Sequence, residues 1–126
     1  MGVQMPKLLN FTVNTQFPMI AKTGTTKIHI SQPSAYIPQD GEYYTRTVVN
    51  IGKGDIINCI ISYNGKNYPV NTYRDIGTYF IELITVERTS STQVTITMYV
   101  QDAYHSGGRT HNAWSADVTI NTFSVP

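Results

Sequence analysis

One stretch of the chain, Asp102-Ala-Tyr-His-Ser-Gly-Gly-Arg-Thr-His-Asn-Ala113, gathers a carboxylate, two imidazoles and a guanidinium, then runs into Trp114, the only tryptophan. No apolar alternation accounts for these residues, so they invite a chemical reading. The first is recognition: Tyr104 and Trp114 offer flat faces for stacking, while Asp102, His105, Arg109 and His111 supply directional hydrogen bonds. The second is a metal centre in which Asp102, His105 and His111 converge on zinc, a metal that suits imidazole and carboxylate. The two histidines, however, stand six positions apart across Gly107-Gly108, and no known ligand spacing has that form. No metal site is expected, and the stretch reads as a loop with Gly107-Gly108 at its tip.

Catalytic signatures are missing elsewhere. The chain has no Gly-x-Ser-x-Gly elbow, no glycine-rich phosphate loop and no His-Glu-x-x-His. Cys59 is the only cysteine and lies inside Asp55-Ile-Ile-Asn-Cys-Ile-Ile-Ser-Tyr63, where a buried, inert thiol is expected rather than a nucleophile. No intrachain disulfide can form. The expectation is a protein without enzymatic activity, catalytic residues or cofactor.

The elements that position the 102–113 stretch follow from composition. There are 14 Ile, 10 Val, 17 Thr and 9 Tyr against 3 Leu and 5 Ala, the usage of pleated, half-buried strands rather than of helices. Lys7 to Val13 places Leu9, Phe11 and Val13 on one face, and Thr26 to Ser31 places Ile28 and Ile30 together with His29 opposite. Ser31 to Gly41 contains two prolines and reads as a loop, in which Tyr36 is a further contact residue. Glu42–Ile51 and Asp55–Tyr63 are expected to pair across Gly52-Lys-Gly54. Asn64-Gly65 is a hairpin signal of the type I′ kind, returning through Lys66–Val70 as an edge strand because Pro69 cannot donate to a ladder. Thr78–Arg88 is expected to turn Tyr79, Ile81, Leu83 and Thr85 inward, opposite Val94, Ile96, Met98 and Val100 of Thr92–Gln101. The last strand, Trp114–Val125, faces Trp114, Ala116, Val118 and Ile120 inward. That gives about eight strands in one all-β domain over 1–126, with residues 1–6 a loose N-terminal tail: an antiparallel β-sandwich or jelly-roll-like fold.

Charge limits the partners. Nine Lys+Arg stand against eight Asp+Glu without runs, so there is no basic stripe for nucleic acid, and no apolar run is long enough for a membrane span. Only 13% of residues are charged, while Thr, Ser and Asn together supply 34 of the 126; an average globular domain carries about 25% charged residues. Such a surface suits work outside a cell or close packing in an assembly, yet the N-terminus reads as having no signal peptide. A virion component, made in the host cytoplasm, reconciles the two; an extracellular protein is the alternative. Asn10-Phe-Thr12 matches a glycosylation acceptor only formally. The tyrosines recur along the chain, and Tyr43 and Tyr44 must point to opposite faces of their strand, which leaves rings for an interface.

The texture of Tyr79-Phe-Ile-Glu-Leu-Ile-Thr-Val-Glu-Arg-Thr-Ser-Ser-Thr-Gln-Val-Thr-Ile-Thr-Met-Tyr-Val100, with its glycine-containing loop and final strand, resembles the small all-β tail and receptor-binding domains of tailed bacteriophages. The resemblance implies a virion structural or host-attachment role within a homo-oligomer, contacting other virion proteins and a cell-surface glycan or receptor. The competing expectation is a lectin-like carbohydrate-binding module with Tyr104, Arg109, His111 and Trp114 at its sugar site.

Overall fold

The computed structural model describes residues 22–71, 74–75, 79–105 and 107–125. Among them run ten strands: β1 (Lys22–Gln32), β2 (Ala35–Ile37), β3 (Glu42–Asn50), β4 (Asp55–Tyr63), β5 (Lys66–Pro69), β6 (Arg74–Asp75), β7 (Phe80–Ser90), β8 (Gln93–Asp102), β9 (Arg109–His111) and β10 (Trp114–Ser124). They form two four-stranded antiparallel sheets, ordered β1-β10-β4-β5 and β3-β8-β7-β6, and a two-stranded ribbon of β2 with β9. The inner faces of both large sheets merge in one cluster that includes Ile30, Ile61, Val118 and Ile120 from the first and Val49, Ile84, Val94, Ile96, Met98 and Val100 from the second. The fold is an all-β sandwich. The expected strand Lys7–Val13, the N-terminal tail and the Asn10 acceptor lie outside the described residues.

The topology is that of one long ribbon. β1, β2 and β3 run antiparallel to β10, β9 and β8 in turn, so the ribbon crosses from the first sheet to the second at the β2/β9 corner. Register is continuous from Lys22↔Ser124 to Ile37↔Arg109, but Glu42 then faces Gln101 rather than position 104. The return strand therefore carries surplus residues between Gln101 and Arg109, and they form the corner loop.

Alternation predicts most inward faces correctly. Val94, Ile96, Met98 and Val100 are buried, as are Trp114, Ala116, Val118 and Ile120, and Ile30 is buried while His29 is exposed. The Asn64-Gly65 turn closes the β4/β5 hairpin with both residues at positive φ, 51° and 75°, the type I′ requirement that disfavours residues bearing a Cβ. β5 lies at a sheet edge, as Pro69 demands.

Five expectations need correction. Glu42–Ile51 and Asp55–Tyr63 do not pair: β3 joins β8 and β4 joins β10 and β5, so Gly52-Lys53-Gly54 crosses between sheets. The Arg88 guanidinium fixes that crossing by donating to the Gly54 carbonyl and to the carbonyls of Ser90 and Ser91. Second, β7 turns Glu82 and Ile84 into the core, with Phe80 and Val86 packed beside them, and sends Ile81, Leu83 and Thr85 outward. Both parities of β7 are apolar, so alternation alone could not choose; the acid on the buried side is satisfied by a partner distant in sequence. Third, the segment 31–41 is not all loop, because Ala35–Ile37 pairs with Arg109–His111. The same pairing corrects the 102–113 stretch, which contains a strand. Cys59 is half-buried rather than buried, and burial pushes its thiol up; its neighbour Ile57 is the extra residue of a bulge opposite Asn121/Thr122.

Candidate functional site

The corner loop and the strands beside it build the most chemically dense surface. Arg109 opens β9 with its guanidinium carbon 3.8 Å from the centroid of Tyr79 and 5.5 Å from that of Tyr104. The two tyrosines meet edge to face at 5.1 Å. A guanidinium over a ring face is attracted by the ring quadrupole, worth about 0.5–1 kcal/mol at an exposed site, and here it orders both aromatics. Tyr104 is 47% exposed. The backbone fastens the group, since the Ala103 amide donates to the Tyr79 carbonyl at 2.8 Å.

Beneath Tyr104 the loop is locked by two carboxylates. Asp102 accepts from the Asp40 amide at 2.7 Å through Oδ2 and from the Tyr104 amide at 3.0 Å through Oδ1. Those donors, Asp40 first, hold its carboxyl below the usual carboxylate range. His105 adopts a left-handed backbone, φ 65°, and its Nδ1 lies 2.5 Å from Asp40 Oδ1. That hydrogen bond, with the Asp40 charge, raises the imidazole above its ordinary value. The Gln39 amide donates to the His105 carbonyl at 3.0 Å. The turn that presents Asp40 closes through Gly41 N–H to Pro38 C=O at 2.9 Å.

Of the residues singled out from sequence, Tyr104, His105 and Arg109 come together at this corner. Tyr36 is 64% exposed but opposes Thr110 in the ribbon. Strand alternation therefore puts it on the face away from Arg109. Its ring covers Gly108 so closely that a Cβ there would fall 1.9 Å from the hydroxyl. His111 is not an exposed contact: it is 5% exposed, and its Nε2 lies 2.8 Å from Oε2 of Glu82, itself 2% exposed. Trp114 is buried as well, donating through Nε1 to Gln32 Oε1 at 2.6 Å, while Gln32 donates on to the Met98 carbonyl at 2.9 Å. Asp102, His105 and His111 do not converge, since the two imidazoles turn to Asp40 and Glu82 respectively. Among the described residues no cluster of three metal-ligating side chains occurs, and no helix is long and apolar enough to cross a membrane.

Sequence reasoning missed Tyr79, Asp40, Gln39 and Glu82. Asp40-Gly41 carried a readable turn signal. Alternation groups Tyr79 with the apolar Ile81 and Leu83, and nothing near Glu82 in sequence announces His111.

His111 and Trp114 also wall a cleft of about 260 Å³, shared with Tyr63, Phe80, Glu82, Thr110 and Asn112. His111 meets Phe80 edge-on at 4.9 Å and Trp114 at 6.0 Å. The cleft offers a hydroxyl, an amide and aromatic edges to a small polar ring. Comparison of the chain with protein-family models, curated proteins and solved structures finds no match.

Proposed function

We propose that the protein is a non-enzymatic virion component for host attachment, assembled as a homo-oligomer and contacting a cell-surface glycan or receptor through the Tyr79–Arg109–Tyr104 stack. The observation that carries this reading is the ordering of a guanidinium and two tyrosines on an exposed corner braced by hydrogen bonds on both sides. Pre-ordered tyrosine and arginine give contact area at little entropic cost, the property of residues that dominate interfaces. The charge-poor, hydroxyl-rich surface supports the assembly half of the proposal, and the phage-like texture of residues 79–100 supplies its context. Arg109→Ala and Tyr104→Ala should keep the far-ultraviolet circular dichroism of the wild type and lose at least about tenfold in binding to host cells or a glycan array. Unchanged binding by both variants would remove this corner as the contact surface. Capsid, tail or lysis genes beside the coding sequence would support the virion context, and metabolic neighbours would count against it.

The cleft favours a second reading, a carbohydrate-binding module. Trp114 is the only tryptophan and lines that cleft, so its fluorescence should shift as a sugar fills it. A flat titration across a panel of mono- and oligosaccharides would set this reading aside.

A further inference from the structure

We infer that β3 is a dimerisation edge: a second copy of this chain adds its own β3 antiparallel across a two-fold axis at Tyr44, so that Glu42 of each copy meets the partner's Arg46. The inference rests on the assembly part of the proposal above and names its surface.

A sheet edge exposes unpaired N–H and C=O groups, and proteins blunt such edges with lysine, proline, bulges or short length. Among the described residues this sandwich has four edges, β1 and β5 in one sheet and β3 and β6 in the other. Three are blunted. β1 carries Lys22, Gly24 and Lys27, β5 carries Lys66 and Pro69, and β6 is two residues long. β3, Glu-Tyr-Tyr-Thr-Arg-Thr-Val-Val-Asn, is nine residues long without proline, glycine or lysine. Its register with β8 runs unbroken from Glu42↔Gln101 to Asn50↔Gln93, so no bulge twists it away.

The outward face of this edge is self-complementary in charge. Glu42, Tyr44, Arg46 and Val48 share that face and are all exposed. Neither charged residue has an opposite charge to meet among the described residues. Glu42 touches only the Gln101 amide, at 3.4 Å, and Arg46 lies 4.6 Å above the Tyr44 ring. A two-fold axis perpendicular to the sheet at Tyr44 exchanges positions 42 and 46, placing a carboxylate opposite a guanidinium twice. Opposite-charge cross-strand pairs stabilise and like-charge pairs destabilise antiparallel strands. Centring the axis on Arg46 would oppose two guanidiniums, and centring it on Tyr43 or Thr45 leaves Glu42 without a cation. Charge thus selects one register. At its centre the two Tyr44 rings meet, each backed by Tyr99 at 5.6 Å, and tyrosine and arginine are the residues enriched at interfaces.

The dimer would join two four-stranded sheets into one. Asp40, which holds His105, lies four positions from the axis, about 13 Å at the strand rise, so both recognition corners sit close to the two-fold. Two linked contact surfaces raise apparent affinity without any new contact. A strand pair is a small interface, which makes it sensitive to single charges.

The test uses the full chain in light scattering, with covalent trapping. The wild type should be dimeric, Glu42→Arg or Arg46→Glu alone should shift it to monomer, and the double exchange should restore the dimer. In a Cys59→Ser background, Tyr44→Cys should give a disulfide-linked dimer under mild oxidation, because residues opposite one another in antiparallel strands have Cα atoms about 4.5–5.5 Å apart. Val48→Cys, whose opposite is position 40, should not link. An oligomer that ignores the charge variants and leaves Tyr44→Cys unlinked overturns this edge and leaves the assembly reading standing. A monomer at every concentration overturns both.

Discussion

His105 and Asp102 give the corner loop a pH window whose sign follows from their environments. Asp40 raises the imidazole above its ordinary 6.5, so its contribution is complete below 6.5 and is lost as pH rises through the folded value. Backbone donors lower Asp102 from 3.8, so its contribution is present above 3.8 and is lost as pH falls through the folded value. The loop is therefore tightest between those limits. Amide exchange at Tyr104, corrected for intrinsic pH dependence, should be slowest there, and His105→Gln should flatten the upper limb. A wild-type profile that is flat above pH 6.5 would remove His105 from the lock. The buried pair behaves differently. Glu82 and His111 are almost inaccessible, so removing the imidazole takes one hydrogen-bond partner from a buried carboxyl, at a cost of about 1–3 kcal/mol. His111→Leu should lower urea stability by that order, whereas His111→Gln, which keeps a donor, should lose less. Equal losses in the two variants would mean that the hydrogen bond to Glu82 contributes nothing to the fold. Trp114→Ala should melt the protein rather than only weaken binding, since emptying a buried indole costs about 3–5 kcal/mol.

The elements explain both what sequence could reveal and what it could not. β8 and β10 have one apolar and one polar parity, so their inner faces were legible at once. β7 is apolar on both parities, with Phe80, Ile84 and Val86 against Tyr79, Ile81 and Leu83, and only its pairing with β8 decides between them. β2 and β9 are three residues each, too short to show alternation, yet this ribbon brings Arg109 to Tyr79. Half of the proposed contact site was thus legible from residue types (Tyr104, His105, Arg109), and the other half depends on partners some 25 to 65 positions away. The ribbon yields its own prediction. A methyl group at position 108 would collide with the Tyr36 hydroxyl, so Gly108→Ala must swing Tyr36 off the corner. If Tyr36 contributes to contact, the variant should lose binding with the thermal midpoint nearly unchanged, and Tyr36→Ala, which removes the ring outright, should lose binding to a similar extent. Binding unaffected by Gly108→Ala would confine recognition to the Arg109 face.

At the scale of the molecule, the ribbon pairs the first described strand with the last. Lys22 faces Ser124, and among the described residues β10 stands between β1 and β4 as the link that carries both into one sheet. Sandwiches built from such distant pairings must close large loops before their contacts form, and they fold in about milliseconds to seconds. Sequence patterns report strands, not which strands meet across a hundred residues, which is why the Gly52–Gly54 link looked like a hairpin and proved a crossing. β10 should therefore be indispensable in a way that β5 is not. A chain ending at Ala113 loses Trp114, Ala116, Val118 and Ile120 from the core. It also leaves Gln32 without its indole donor and strands β1 beside no partner. It should show no cooperative thermal transition and should bind a hydrophobic dye. Adding a peptide of residues 114–126 in trans should restore the transition, because the gap it fills is lined by ladders on both sides. If the shortened chain keeps a cooperative transition of its own, the β3-β8-β7-β6 sheet folds independently, and the sandwich is two units rather than one cooperative core.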